Sequence, residues 1–160
     1  MHELLQRTAG LPEITLTAGD TLVREGESGD GLWILVSGRL QISKAGTAIS
    51  SVSHPGAAIG EISLLLNSPF SATVVASEPS VLRYAADGRA LLASNPAITH
   101  LIAVGLAERL AFVTTYLADL KNQYGDSPGL AMVSEVLNHL AHRQGPAARA
   151  GSAREPNPDY

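Results

Sequence analysis

Residues 56–76 read GAAIGEISLLLNSPFSATVVA, and the rest of the chain is understood from this stretch. A small-residue turn from Gly56 to Gly60 runs into a short helical segment, Glu61 to Leu66. A polar, proline-containing link from Asn67 to Ser71 then leads to a β-branched run, Ala72 to Ala76. A glycine turn followed at once by a helix start exposes several backbone N–H groups at one spot. With the positive end of the helix dipole, those groups make a small anion site. Glu61 in the first helical turn also has a plain structural reading, as compensation of that dipole.

Upstream of this stretch, from Glu13, runs of four to six residues rich in Ile, Leu, Val and Thr alternate with turn residues. Ile14–Leu16, Thr21–Arg24, Leu32–Val36, Arg39–Ser43 and Thr47–Val52 read as strands, and Ala72–Ser77 and Val81–Tyr84 add two more. The turns between them are marked by Ala18-Gly19-Asp20, EGESGDG (25–31), Ser37-Gly38 and Ala45-Gly46. LWILV (32–36) is apolar on both faces, as a strand covered on both sides should be. Short strands with a turn every eight to ten residues predict an all-β roll, barrel or sandwich.

Several segments together resemble the cyclic-nucleotide-binding domain family. AGDTLVREGESGDGLWILVSGRLQI and PGAAIGEISLL follow its glycine-punctuated β-roll, with Gly26, Gly29, Gly38 and Gly56 at its turns. Residues 56–76 are similar to its phosphate-binding cassette: Gly60, Glu61, Ile62, Ser63, Leu64 and Leu65, then Ser71, Ala72, Thr73 and Val74. The resemblance spans roughly residues 12 to 124 and implies a double-stranded β-helix (jelly-roll β-roll) with flanking helices. It further implies that Glu61 takes a ribose 2′-hydroxyl, while backbone N–H groups near Glu61 and Ile62, the Ser71 hydroxyl and the Ala72 N–H face a cyclic phosphate. At the family's phosphate-pairing arginine this chain has Phe70. Phenylalanine cannot donate to an anion, and a bond to a charged group contributes about 1.5–3 kcal/mol. Its loss predicts cAMP or cGMP binding weaker by roughly ten- to several-hundredfold, unless Arg24, Arg39 or Arg83 reaches in.

After Tyr84 the chain turns helical. Asp87–Ala93 forms one short helix, and Pro96 suits the first turn of a second that runs to Tyr124. Ala103, Leu106, Leu110, Val113, Leu117, Leu120 and Tyr124 follow a 3, 4, 3, 4, 3, 4 spacing, a heptad seam that predicts a homodimer. A second stripe, Ile98, Leu101, Ile102, Gly105, Arg109, Phe112 and Tyr116, could lie on the β-roll; one broad buried face in a monomer is the alternative. The resemblance makes this the dimerisation helix and the lid of the nucleotide pocket. It also places Arg109 near Glu61, although a helix-surface ion pair explains that arginine equally well. Thr114 and Val113 fall loosely near the family's base-contacting positions. The domain thus runs from 1 to 124. Gly125-Asp126-Ser127-Pro128 ends the helix, 129–143 reads as a further amphipathic helix open to an unidentified protein partner, and 145–160 as a disordered tail.

Composition narrows the function. A formal charge of −4 with 11 scattered basic residues argues against a nucleic-acid surface, and no second recognition-type helix follows Tyr124. The absence of cysteine removes disulfides and Cys-ligated metals. The N-terminus lacks a signal-peptide pattern and no apolar run approaches the roughly 18 residues of a membrane span, so a cytoplasmic location is expected. His54 is the sole histidine of the β region, and His139 and His142 lack a carboxylate partner motif, so neither a metal site nor any other cofactor is expected. No nucleophile–base motif is present. Two readings remain, a non-catalytic cyclic-nucleotide sensor and a dimeric scaffold whose pocket has lapsed.

Overall fold

Short strands with an apolar face close over a common interior, to which the Thr47–Val52 strand contributes only its last residue, Val52. In the computed structural model, which describes residues 2–124 and 131–142, the order is α1 (His2–Arg7), β1 (Glu13–Leu16), β2 (Thr21–Val23), β3 (Leu32–Ser37), β4 (Leu40–Lys44), β5 (Thr47–Val52), β6 (Ala58–Ile59), α2 (Glu61–Leu66), β7 (Thr73–Ala76), β8 (Ser80–Ala85), α3 (Gly88–Ser94), α4 (Pro96–Tyr124) and α5 (Ala131–His142). The strands form two antiparallel four-stranded sheets, β1-β8-β3-β6 and β2-β7-β4-β5. Val23, Leu40, Val74 and Ala76 from one sheet meet Leu35, Ile59 and Leu82 from the other, and this interior is the first core.

The second core lies on the opposite face of β3 and β8. There Leu32, Ile34 and Ala85 pack with Leu4 of α1, Leu64 of α2, and Ile98 and Ile102 of α4. β3 is apolar on both faces because it is covered on both, as its sequence required. Helix starts follow local chemistry. Asp87 caps α3 by accepting the Ala90 N–H at 2.8 Å, and Asn95 caps α4 by accepting the Ile98 N–H at 3.2 Å just before Pro96.

Three expectations change. The small-residue turn before Gly60 contains a strand, β6, whose Ala58 and Ile59 pair with Ile34 and Trp33. Two residues give no visible alternation, so only the pairing reveals it. The second stripe of α4 is buried only at its start. Ile98 and Ile102 are in the core, with Leu101 and Leu106 packed against it, whereas Phe112 is 72% exposed and stacks on Tyr116 at 6.5 Å. By length and composition α4 is also apolar enough to cross a membrane, a reading hidden in the sequence by its interspersed polar residues. The chain divides into two compact units, with the boundary between Glu108 and Arg109 inside α4. The expected tail, 145–160, the link 125–128 and the ends of the 129–143 helix lie outside the described residues.

Candidate functional site

The cassette is built from a strand, a left-handed glycine, a six-residue helix and a second strand. Gly60 precedes α2 with φ 92°, and a Cβ there would stand 2.5 Å from the Gly31 carbonyl oxygen. Only glycine meets both demands without strain. The Trp33 ring lies against Gly60 and Gly31 and stacks on Tyr84, with centroids 5.3 Å apart.

Glu61 is only 4% exposed, and among the described residues no buried side-chain oxygen or nitrogen lacks a hydrogen-bond partner. Burial of a carboxylate is costly unless it is paired, so its engagement inside the fold is a packing requirement as well as a potential ligand contact. Ile62 is half-buried. Ser63 is buried and donates through Oγ to the Gly60 carbonyl at 2.8 Å, tying the helix back to its own start.

Phe70 is 8% exposed and belongs to the interior core, 6.1 Å from Trp33 between ring centroids. Its backbone is fixed as well. The Phe70 N–H donates to the Glu27 carbonyl at 2.9 Å, and its carbonyl accepts the Gly26 N–H at 2.9 Å. Gly29 leaves the ring its space, since a Cβ there would approach Phe70 Cζ to 3.1 Å. Next in the chain, Ser71 is exposed, Ala72 half-buried, and the Thr73 hydroxyl oxygen accepts the Glu25 N–H at 2.9 Å.

A family model, the cyclic nucleotide-binding domain, matches residues 13–104. The chain belongs to the cyclic nucleotide-binding domain family. A relative with 39% identity over 72 residues is the cAMP-dependent protein kinase regulatory subunit of Yarrowia lipolytica, a match covering 45% of this chain and 19% of that protein. Another, the CRP-like cAMP-activated global transcriptional regulator of Mycobacterium tuberculosis, is 31% identical over 144 residues, covering 86% of this chain and 62% of the regulator. The chain therefore spans less than two thirds of the length of either. Among solved structures, the catabolite activator protein of Thermus thermophilus superposes with a TM-score of 0.57 at 25% identity, covering 91% of this chain and 88% of that one.

Within this cyclic nucleotide-binding domain, each arginine considered as a substitute for Phe70 is engaged. Arg24 pairs with Glu27 at 3.8 Å, Arg39 with Glu78 at 3.7 Å, and Arg83 with Glu13 at 3.3 Å and the Leu5 carbonyl. Arg109 lies exposed in the second unit. The Thr114 hydroxyl donates to the Leu110 carbonyl of its own helix at 2.8 Å. The cation that does stand at the cassette escaped the sequence reading. Lys44, the last residue of β4, donates to the Ser71 carbonyl at 2.7 Å and lies 3.7 Å from Glu25. Its signal in the sequence was an alternation that places it on the same side of β4 as Leu40 and Ile42.

Proposed function

We propose that this chain is a non-catalytic regulatory module of the cyclic-nucleotide-binding type that binds cAMP or cGMP weakly. One observation carries the reading. Where the family's arginine would meet the phosphate, Phe70 is packed into the roll interior against Trp33. The retained half of the cassette, Gly60 through Ser63, supports a ribose and phosphate contact of the family type. The names of the two relatives, a kinase regulatory subunit and a cAMP-activated regulator, support a signalling role. The missing guanidinium removes about 1.5–3 kcal/mol, hence roughly one to two decades of affinity.

Calorimetric titration of cAMP and cGMP into the purified chain tests this. Saturation at high micromolar to millimolar ligand is expected. Sub-micromolar binding overturns the weak-binding reading. Silence in the wild type and in Phe70→Arg overturns the sensor and leaves a scaffold with a filled pocket, a reading favoured by the membership of Phe70 in the core.

The assembly we infer is a cytoplasmic homodimer through Ala103, Leu106, Leu110, Val113, Leu117, Leu120 and Tyr124. Leu110 at 52% exposure and the exposed Val113 support it, because apolar side chains on a helix surface favour cover. Residues 129–143, whose described part is α5 with Met132 and Val136 exposed, are offered as the surface for a protein partner.

A further inference from the structure

Lys44 occupies a position that the missing arginine makes meaningful. The β4–β7 register runs Leu40↔Ala76, Ile42↔Val74 and Ser43↔Thr73, and Lys44 follows the last pair of the ladder. Leu40, Val74 and Ala76 line the interior and Ile42 packs against it. Alternation carries Lys44 to that same side, at the rim rather than the centre. The ammonium is held at the Ser71 carbonyl, the residue next to Phe70 in the chain. Its side chain is 45% exposed, so a flexible stem brings it to the rim without burying the charge.

Glu25 completes the arrangement. One carboxylate oxygen accepts the Ala45 N–H at 2.7 Å, and the other stands 3.7 Å from Lys44 Nζ, beyond hydrogen-bond range. The carboxylate is thus fixed to the β4–β5 turn, where it balances the lysine's charge without a direct bond to it. An ammonium has three donors, and the Ser71 carbonyl takes one. The Phe70 ring stays in the interior core, packed against Trp33 and 8% exposed, so it leaves the rim to the lysine.

We propose that Lys44 supplies the cation for the phosphodiester of a bound cyclic nucleotide, with Glu25 as its counter-charge in the ligand-free state. This rests on the weak-sensor reading above and names the residue that gives it what affinity it has. A lysine point charge in place of a bidentate guanidinium also accounts for weakness rather than loss.

The test is titration of cAMP, cGMP and the uncharged nucleoside adenosine into the full chain, followed by backbone amide shifts of Ser71 and Ala72. Wild type, Lys44→Gln, Lys44→Arg and Glu25→Gln are compared at equal ionic strength. Lys44→Gln should weaken cyclic-nucleotide binding about tenfold, from the loss of one charged hydrogen bond, with melting and adenosine binding unchanged. Lys44→Arg should keep or improve it, and Glu25→Gln should tighten it severalfold. Equal nucleotide affinity in Lys44→Gln and wild type overturns the assignment while leaving the weak-sensor reading intact. So does an equal loss of adenosine binding, which would mark Lys44 as a structural tie for Ser71. Silence in both wild type and Glu25→Gln also overturns it; if Phe70→Arg then binds, the pocket itself still stands.

Discussion

Residues 56–66 and 70–76 are the two halves of one cassette, and different forces hold them. The first half keeps every polar feature of the family pattern, yet each has a packing reason in this fold. Gly60 must be glycine to clear the Gly31 carbonyl, Ser63 ties α2 to Gly60, and Glu61 is buried and engaged. The second half replaces a charge with a ring, and the ring is core. A retained motif is therefore not by itself a measure of a retained ligand here, because each of its residues also has a place in the packing. The position where the family pattern has an arginine is the one that differs, and here it is core.

If the ligand-free cassette is already packed, assembly should not wait for nucleotide. Wild-type chain without ligand is expected to sediment as a dimer at tens of micromolar (an order of magnitude typical of modest interfaces). Leu110→Glu with Leu117→Glu should give monomers whose roll melts unchanged. A wild type that dimerises only with cAMP would reverse the comparison.

The next largest effect is on stability. Phe70→Ala should cost about 3–5 kcal/mol in urea unfolding, as expected for an aromatic removed from a core. Gly60→Ala should cost on the order of 1–3 kcal/mol through left-handed strain, with no ligand present. A negligible loss in either would mean that its half of the cassette serves binding rather than folding.

Phe70→Arg sharpens the comparison from the other side. The guanidinium must leave the apolar interior, so the variant should be less stable than wild type. It should still bind cyclic nucleotide about ten- to a hundredfold more tightly, from the restored charged bond. Adding Glu61→Ala should remove most of that gain. Ligand-dependent melting separates the two effects, because binding raises the midpoint whatever the starting stability.

The smallest effect lies far from the cassette and serves as its control. Asp20 accepts the Thr17 N–H at 2.7 Å and the Thr17 hydroxyl at 2.8 Å, which hold its carboxyl below the ordinary aspartate value. A depressed folded pKa stabilises above the unfolded pKa, and the benefit fades as pH falls through the folded one. Asp20→Ala should therefore be slightly less stable at neutral pH, the gap closing in acid, with nucleotide binding untouched. A gap that stays constant with pH would assign the effect to the turn itself.

Much of this was legible in residues 13–84. The turn signals EGESGDG and Ser37-Gly38 flank β3 correctly, and Glu61–Leu66 is the helix its first turn announced. Strand ends moved by at most one residue, because pairing rather than propensity terminates a ladder. β6 was missed, since two residues have no period and its partner lies some twenty-five positions upstream in β3. Lys44 was missed for a related reason. Its neighbour Ser71 is 27 residues away, and nothing local links them.

By itself, the sequence determined which residues alternate, where the chain turns, where helices are capped and that Phe70 carries no charge. These follow from short-range sterics and from a side-chain period of two or 3.6. Tertiary structure alone decided which face of each strand became the interior, that Phe70 fills it, and that Lys44 reaches the Ser71 carbonyl next to Phe70. Alternation fixes that two faces differ, but only the register of non-local strands says what each face meets.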